Sequence, residues 1–235
     1  MLRSYAGPGD EVLYSRHGFL MYPIGAQTVG ATPVAAPERE LTADVDALSG
    51  AGDRTHPHRL HRQPEQPDRD LSVGRARWRG CMPGCRPSVV LAIDAAYAEF
   101  VNRNDYEPGV ALVDRADNVV MLRTFSKIYA LAGLRLGWAY CPPAIADVLN
   151  RMRGPFNVTA PALAAGVAAV EDVAALARAR AHNERWLPLV FRAASPRSGS
   201  QLTPSVGNFV LAALSRRPAP ERRCARSPFC NRAAS

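Results

Sequence analysis

The chain has 235 residues, enough for one large domain or two small ones around a buried core. No run approaches the roughly 18 uninterrupted apolar residues that cross a bilayer. Met1 to Asp10 offers Arg3 but no apolar block after it, so no secretory leader is expected and a soluble cytoplasmic protein is. The formal net charge of +8 suggests nucleic acid, but residues 53–86 carry +4 of it and residues 212–235 carry +5, leaving −1 for the remainder. Those two segments hold Trp78 and Phe229 as their aromatics and match no nucleic-acid module, so they would bind such a partner only non-specifically. A basic nucleic-acid-binding protein stands as the alternative from another class.

In chain order, Gly7-Pro8-Gly9-Asp10 reads as a turn, residues 11–14 as a short strand and residues 18–29 as a helical stretch. Residues 31–36 suit a second strand, and a helical pattern begins at residues 41–48. Residues 53–86 then lose all apolar periodicity and are dense in Arg, His, Pro and Gln, the texture of a disordered segment. Val89-Val90-Leu91-Ala92-Ile93, ending at Asp94, reads as a buried parallel strand, and residues 118–122 as another. Residues 137–141 suit a third strand, stopped by Pro142-Pro143. Residues 143–153 are helical in pattern, and residues 159–189 read as helix broken near Asp172.

Five cysteines form no trustworthy disulfide framework. Cys81 and Cys85 with His56, His58 and His61 match no common zinc spacing, and no metal is expected.

The chemistry concentrates at two strand ends, where open α/β sheets place ligands. Asp94 is followed by Tyr97, and the second strand runs into Arg123-Thr124-Phe125-Ser126-Lys127, with Arg135 eight residues beyond the lysine. An amine that can form a Schiff base, a carboxylate for a pyridinium nitrogen, a phenol for a ring oxygen, and hydroxyls with a guanidinium for a phosphate are what pyridoxal phosphate requires. Each residue type has a commoner, purely structural use; the combination at fixed spacings is the specific feature.

Ile93-Asp94-Ala95-Ala96-Tyr97-Ala98-Glu99-Phe100 and Arg123-Thr124-Phe125-Ser126-Lys127, followed by Leu131-Ala132-Gly133-Leu134-Arg135-Leu136-Gly137, resemble the histidinol-phosphate aminotransferases, within the class I/II aminotransferases of pyridoxal-phosphate fold type I. Pro155-Phe156-Asn157-Val158 and Pro8-Gly9-Asp10-Glu11-Val12 also resemble that family. The resemblance implies a partial fold type I large domain, α/β with a mostly parallel sheet and flanking helices. It implies pyridoxal 5'-phosphate as cofactor and Lys127 as the catalytic residue that carries it. Asp94 would meet the pyridine nitrogen and Tyr97 the ring oxygen. Thr124, Ser126 and Arg135 would hold the phosphate, and Phe19 would stack on the ring. The implied partners are a small amino donor, histidinol phosphate, the 2-oxo acid 2-oxoglutarate and a second subunit of a homodimer, with no specific nucleic acid and no membrane. Another class I/II aminotransferase, or a pyridoxal-phosphate decarboxylase, uses the same cofactor residues and remains open.

The chain departs from the family where it should carry a strand ending in Asn-Pro-x-x-Pro-Thr-Gly. Codons compatible with residues 55–71, read one base later, can spell Arg-Thr-Arg-Ile-Val-Phe-Ile-Ala-Asn-Pro-Asn-Asn-Pro-Thr-Gly-Thr. Residues of about 49–86 are therefore expected to be translated out of frame, and the sequence after about 211 to be a second such event. The expected organisation is an N-terminal part of the cofactor-binding domain at 1–48, an aberrant disordered segment at 49–87 and the cofactor-binding core at 88–195. The start of a small domain follows at 196–211, then a basic tail at 212–235. A chain without its central strand is expected to be unstable or inactive.

Overall fold

The computed structural model describes residues 1–39, 41–44, 48, 60–62, 89–104, 106–194 and 201–213. A one-turn helix α1 (Leu2–Tyr5) leads into β1 (Glu11–Ser15), α2 (Met21–Thr28) and β2 (Thr32–Ala36). Two-residue strands β3 (Glu38–Arg39) and β4 (Thr42–Ala43) follow, then β5 (Leu60–Arg62) and β6 (Val90–Asp94). Next come α3 (Val110–Val113), β7 (Val119–Thr124), β8 (Gly137–Tyr140) and three helices, α4 (Pro143–Met152), α5 (Ala160–Glu171) and α6 (Val173–Ala194). A final antiparallel pair, β9 (Gln201–Thr203) and β10 (Leu211–Ala213), ends the described chain.

Six strands make one sheet in the order β2-β1-β5-β6-β7-β8. Every neighbouring pair is parallel except β7 with β8. Leu91, Ile93, Val119 and Met121 pack with Leu112 and Val113 of α3. Burying each such aliphatic side chain stabilises by about 1.5–3 kcal/mol. A second cluster joins Val12 of β1, Ala26 of α2 and Ala92 of β6, so it spans the width of the intervening β5.

Two expectations are corrected. The helical pattern from residue 41 is instead a hairpin. Glu38 pairs with Ala43 and Arg39 with Thr42, Leu41 turns the chain in the left-handed region at φ 64, and an Arg39–Asp44 ion pair closes it. Leu48 is helical and buried.

The second correction concerns the segment expected to lack structure. Leu60–Arg62 is a strand at the centre of the sheet, pairing Leu60 with Val90, His61 with Leu91 and Arg62 with Ala92, while Arg62 also pairs with Tyr14. The cause is backbone chemistry. β1 and β6 each present N–H and C=O groups toward the gap, and those groups need partners whatever side chains come with them. The rest of residues 49–87 lies outside the described residues, as do His56, His58, Cys81, Cys85 and the tail after residue 213.

The helical expectations for residues 143–153 and 159–189 hold. Pro143 opens α4 at a position where a missing N–H costs nothing. The Thr159 hydroxyl caps α5 by accepting from the Ala162 N–H at 3.3 Å. The chain breaks at Asp172, which accepts from the Ala175 N–H at 2.8 Å, and α5 and α6 meet at 74°. No single helix among the described residues is long and apolar enough to cross a membrane.

Candidate active site

Asp94 is the last residue of β6, and Thr124 is the last residue of the adjacent β7. Asp94 pairs with Leu122, so Thr124 reaches two residues further in the same direction before the chain turns. The two strand ends open on a cavity of about 1100 Å³, whose walls include Phe19, Asp94, Thr124, Ser126, Lys127 and Arg135. The structure thus brings together six of the seven residues singled out in the sequence. The seventh, Tyr97, stands beside the lysine: Lys127 Nζ lies 4.7 Å from the centre of its ring. Phe209 packs edge-on against Tyr97 at 5.1 Å, and Asn183 of α6 donates to the Val206 and Gly207 carbonyls of the same loop at 3.3 and 3.1 Å.

Residues 125–136 fold back on themselves, which is how Lys127 and Arg135 come to share one cavity. The Phe125 N–H donates to the Leu136 carbonyl at 3.1 Å, the Leu131 N–H to Phe125 at 2.9 Å and the Ala130 N–H to Lys127 at 2.9 Å. The Thr124 hydroxyl accepts from the Ser126 N–H at 3.0 Å, tying both hydroxyl residues into one turn. Ala130 and Arg135 take left-handed backbone conformations at φ 57 and 55. Strain of this kind persists where surrounding packing fixes it, and here Phe125, Ile128 and Leu136 are buried. Gly166 of α5 lets that helix close on the loop, since a Cβ there would come within 2.5 Å of the Leu136 side chain. Arg135 Nη1 donates to the Ala132 carbonyl at 2.5 Å.

Asp94 is held on both oxygens. Oδ1 accepts from the Ala96 N–H at 3.2 Å, and Oδ2 accepts from the Tyr22 hydroxyl at 2.6 Å. Tyr22 is wholly buried on α2, and nothing in its local sequence announced the contact, which spans 72 positions. The one available hint is its place three residues after Phe19, whose ring it meets edge-on at 5.9 Å.

Among the described residues lining the cavity, Asp94 is the one carboxylate, facing Arg3, Arg123, Lys127, Arg135 and Arg153. A cavity with that balance suits an anionic ligand. Arg153 is steadied by Asn150 at 2.6 Å and Asn157 at 3.2 Å. Arg123 lies 5.6 Å from the Trp138 ring centre and forms a long ion pair, 3.5 Å, with the buried Glu99. Burial pushes the Glu99 carboxyl above the usual range despite the opposing Arg123 and Arg180 charges. Glu99 Oε2 and the Nε and Nη1 of Arg123 make no hydrogen bond.

The loop that presents Phe19 has its own clamp. Glu38 accepts from the Ser15 hydroxyl, from the His17 N–H at 2.9 Å and from the His17 ring at 2.7 Å. Burial raises the Glu38 pKa, but these donors outweigh it and hold the carboxyl below the usual glutamate range.

A lysine and an aspartate at neighbouring parallel strand ends, with hydroxyls and arginines around them, define a class of protein. Residues 2–210 match the profile of the family "Aminotransferase class I and II", and the chain belongs to that family. It is similar to histidinol-phosphate aminotransferase of Paramagnetospirillum magneticum, 53% identical over 213 residues, covering 90% of this chain and 58% of that protein. It is also similar to the enzyme of the same name from Rhodospirillum centenum, 54% identical, covering 95% of this chain and 62% of the relative. The crystal structure of histidinol-phosphate aminotransferase from Sinorhizobium meliloti in complex with pyridoxal-5'-phosphate matches with a TM-score of 0.78 at 27% identity, covering 89% of this chain and 56% of that one. The chain therefore spans about three fifths of the length of the curated relatives it matches.

Proposed function

We propose that this site binds pyridoxal 5'-phosphate and serves transamination of histidinol phosphate, the substrate in its relatives' names, with 2-oxoglutarate as the oxo acid that the family resemblance implies. The observation that carries the reading is that Lys127 and Asp94, from adjacent strand ends, line one cavity with Phe19, Thr124, Ser126 and Arg135. The donor set fits the group: one amine, one carboxylate, two hydroxyls and a guanidinium, in a space that also leaves room for substrate.

When bound, the cofactor supplies an electron sink for the substrate carbon that loses its proton. Lys127 would hold the cofactor through its amine, and the same Nζ, when free, would serve as the base and acid that takes up and gives back the proton moved in transamination. Asp94 meets the ring nitrogen, and Tyr97 the ring oxygen. Thr124, Ser126 and Arg135 grip the phosphate, with Arg135 able to offer two parallel N–H donors. Phe19 covers one face of the ring.

The relatives' names support reading this chain as part of a cytoplasmic biosynthetic enzyme. The exposed Leu163, Val167 and Val170 of α5, with Phe156 and Met152 nearby in sequence, support a second copy of the chain as partner. We read the β9–β10 pair as the beginning of a second, smaller domain.

The test is direct. The purified chain is mixed with pyridoxal phosphate, reduced with borohydride and digested, and the labelled peptide is identified by mass spectrometry. Label on the peptide containing Lys127, lost in Lys127→Ala, is the expected result. Lys127 is the one lysine of the sequence, so label on the N-terminal amine alone, or no label at all, would defeat the proposal.

A further inference from the structure

We propose that Tyr22 is a positioning residue for the cofactor, acting through Asp94; the inference rests on the reading of the site given under Proposed function. The hydroxyl of Tyr22 donates to Asp94 Oδ2 at 2.6 Å, a short bond to a carboxylate. Tyr22 is 0% exposed, so no water competes for that contact. The other carboxylate oxygen is taken by the Ala96 N–H, from the turn that follows β6. With a donor on each oxygen, from two different elements, the plane of the carboxylate is fixed before any ligand arrives. Fixing a reacting or binding group in advance is how a site avoids reorganising when it is occupied.

Tyr22 also belongs to the wall that carries Phe19. Its N–H donates to the Phe19 carbonyl at 2.9 Å, and the two rings meet edge-to-face. The same turn of chain thus offers Phe19 to the face of a flat ligand and, through Tyr22, sets the carboxylate at that ligand's edge. The hydroxyl further connects α2 to β6 across β5, a strand joined to β1 by the rung Tyr14–Arg62.

The experiment is a double-mutant cycle on the full chain, read by pyridoxal phosphate binding in absorbance titrations and by the rate at which bound cofactor is lost. Tyr22→Phe is expected to weaken binding about tenfold, the scale of a lost hydrogen bond to a charged group. In an Asp94→Asn background the same substitution should change binding less than about twofold, because the partner charge is gone. Equal weakening in both backgrounds would show a merely structural tyrosine and overturn the inference, as would no weakening at all. If Tyr22→Phe does not fold, global replacement of tyrosine by 3-fluorotyrosine, a stronger donor of nearly the same shape, gives the comparison. Cofactor loss should slow in the Asp94 chain and not in Asp94→Asn, and the same rate change in both would sink the idea. Failure of the unsubstituted chain to take up cofactor on Lys127 would remove the proposed function and this inference together. Normal uptake with an unchanged Tyr22→Phe would remove the inference alone.

Discussion

Lys127 holds its ammonium group 4.7 Å from the centre of the Tyr97 ring, so the face of one predicted site residue supports the charge of another. A cation over an aromatic face gains about 0.5–2 kcal/mol, and the ring also limits where the lysine can swing. Tyr97→Phe keeps that platform and removes the hydroxyl. Its expected effect is a several-fold loss of pyridoxal phosphate affinity with unchanged labelling of Lys127. Tyr97→Ala removes the platform, the edge contact with Phe209 and about 2–4 kcal/mol of stability. Borohydride labelling combined with thermal melts separates the two variants; identical behaviour would show that the ring does not guide the lysine.

The clamp at Glu38 predicts an acid-side loss of stability. Its carboxyl is held below the usual glutamate value, so its contribution is present above the unfolded value and disappears as pH falls through the lower native one. Glu38→Gln should cost about 1–2 kcal/mol at neutral pH and flatten the acid limb of the melting curve. An acid limb of unchanged slope in the variant would assign the loss to other groups.

Glu99 works with the opposite sign. Burial raises its carboxyl, so stability is full below the unfolded glutamate value and declines as pH rises through the raised native one. Replacement by Gln removes that decline but leaves Arg123 without its counter-charge. The expected result is a flatter melting profile above the usual glutamate range together with weaker cofactor binding, because Arg123 immediately precedes Thr124. A variant with unchanged affinity would confine Glu99 to the fold.

The loop carrying Lys127 and Arg135 depends on a close approach by α5. In Gly166→Val the added carbons would meet the Leu136 side chain and Phe125. Overpacking of this kind costs about 1–3 kcal/mol. The displaced loop should also lower cofactor affinity, whereas Gly154→Ala, where a Cβ meets nothing within 4 Å, should do neither. Melting temperature and affinity measured on both variants check the claim; a Gly166→Val chain binding as tightly as its parent would refute the coupling.

The frame hypothesis acquires a structural test from β5. In the shifted reading, Val-Phe-Ile falls across codons 59–62, the stretch that forms β5, and the Asn that follows the Ala falls at codons 63 and 64. A chain with residues 55–71 rewritten in that reading should melt several degrees higher, since apolar residues suit a central parallel strand better than His and Arg. Resequencing of the coding locus provides the independent check. A confirmed single frame, or a rewritten chain no more stable than the original, would dispose of the hypothesis.

Much of the site was legible because its parts are local in sequence. The Thr124-to-Lys127 turn and Arg135 occur within twelve residues, and Asp94 and Tyr97 within four. Strand ends could be placed because apolar runs stop abruptly at polar residues. What escaped was long-range. Tyr22 reaches Asp94 over 72 positions, and Glu38 reaches Ser15 and His17 over more than 20. No periodicity encodes such contacts. β5 escaped for another reason: Leu60-His61-Arg62 has neither β-branched nor aromatic residues, and its place in the sheet comes from the backbone needs of its neighbours. The hairpin at residues 38–43 was misread because Leu41 adopts a conformation uncommon for leucine.

The pairing of β1 to β5 through Arg62 has a mechanical meaning. On one side of that seam lie Phe19 and Tyr22; on the other lie Asp94, Thr124, Ser126 and Lys127. A flat molecule lodged between them would act as a rivet, so amide hydrogen exchange in β1 and α2 should slow on loading by more than it does in β7. Assembly of the sheet and occupation of the site would then be a single thermodynamic event, each half waiting for the other.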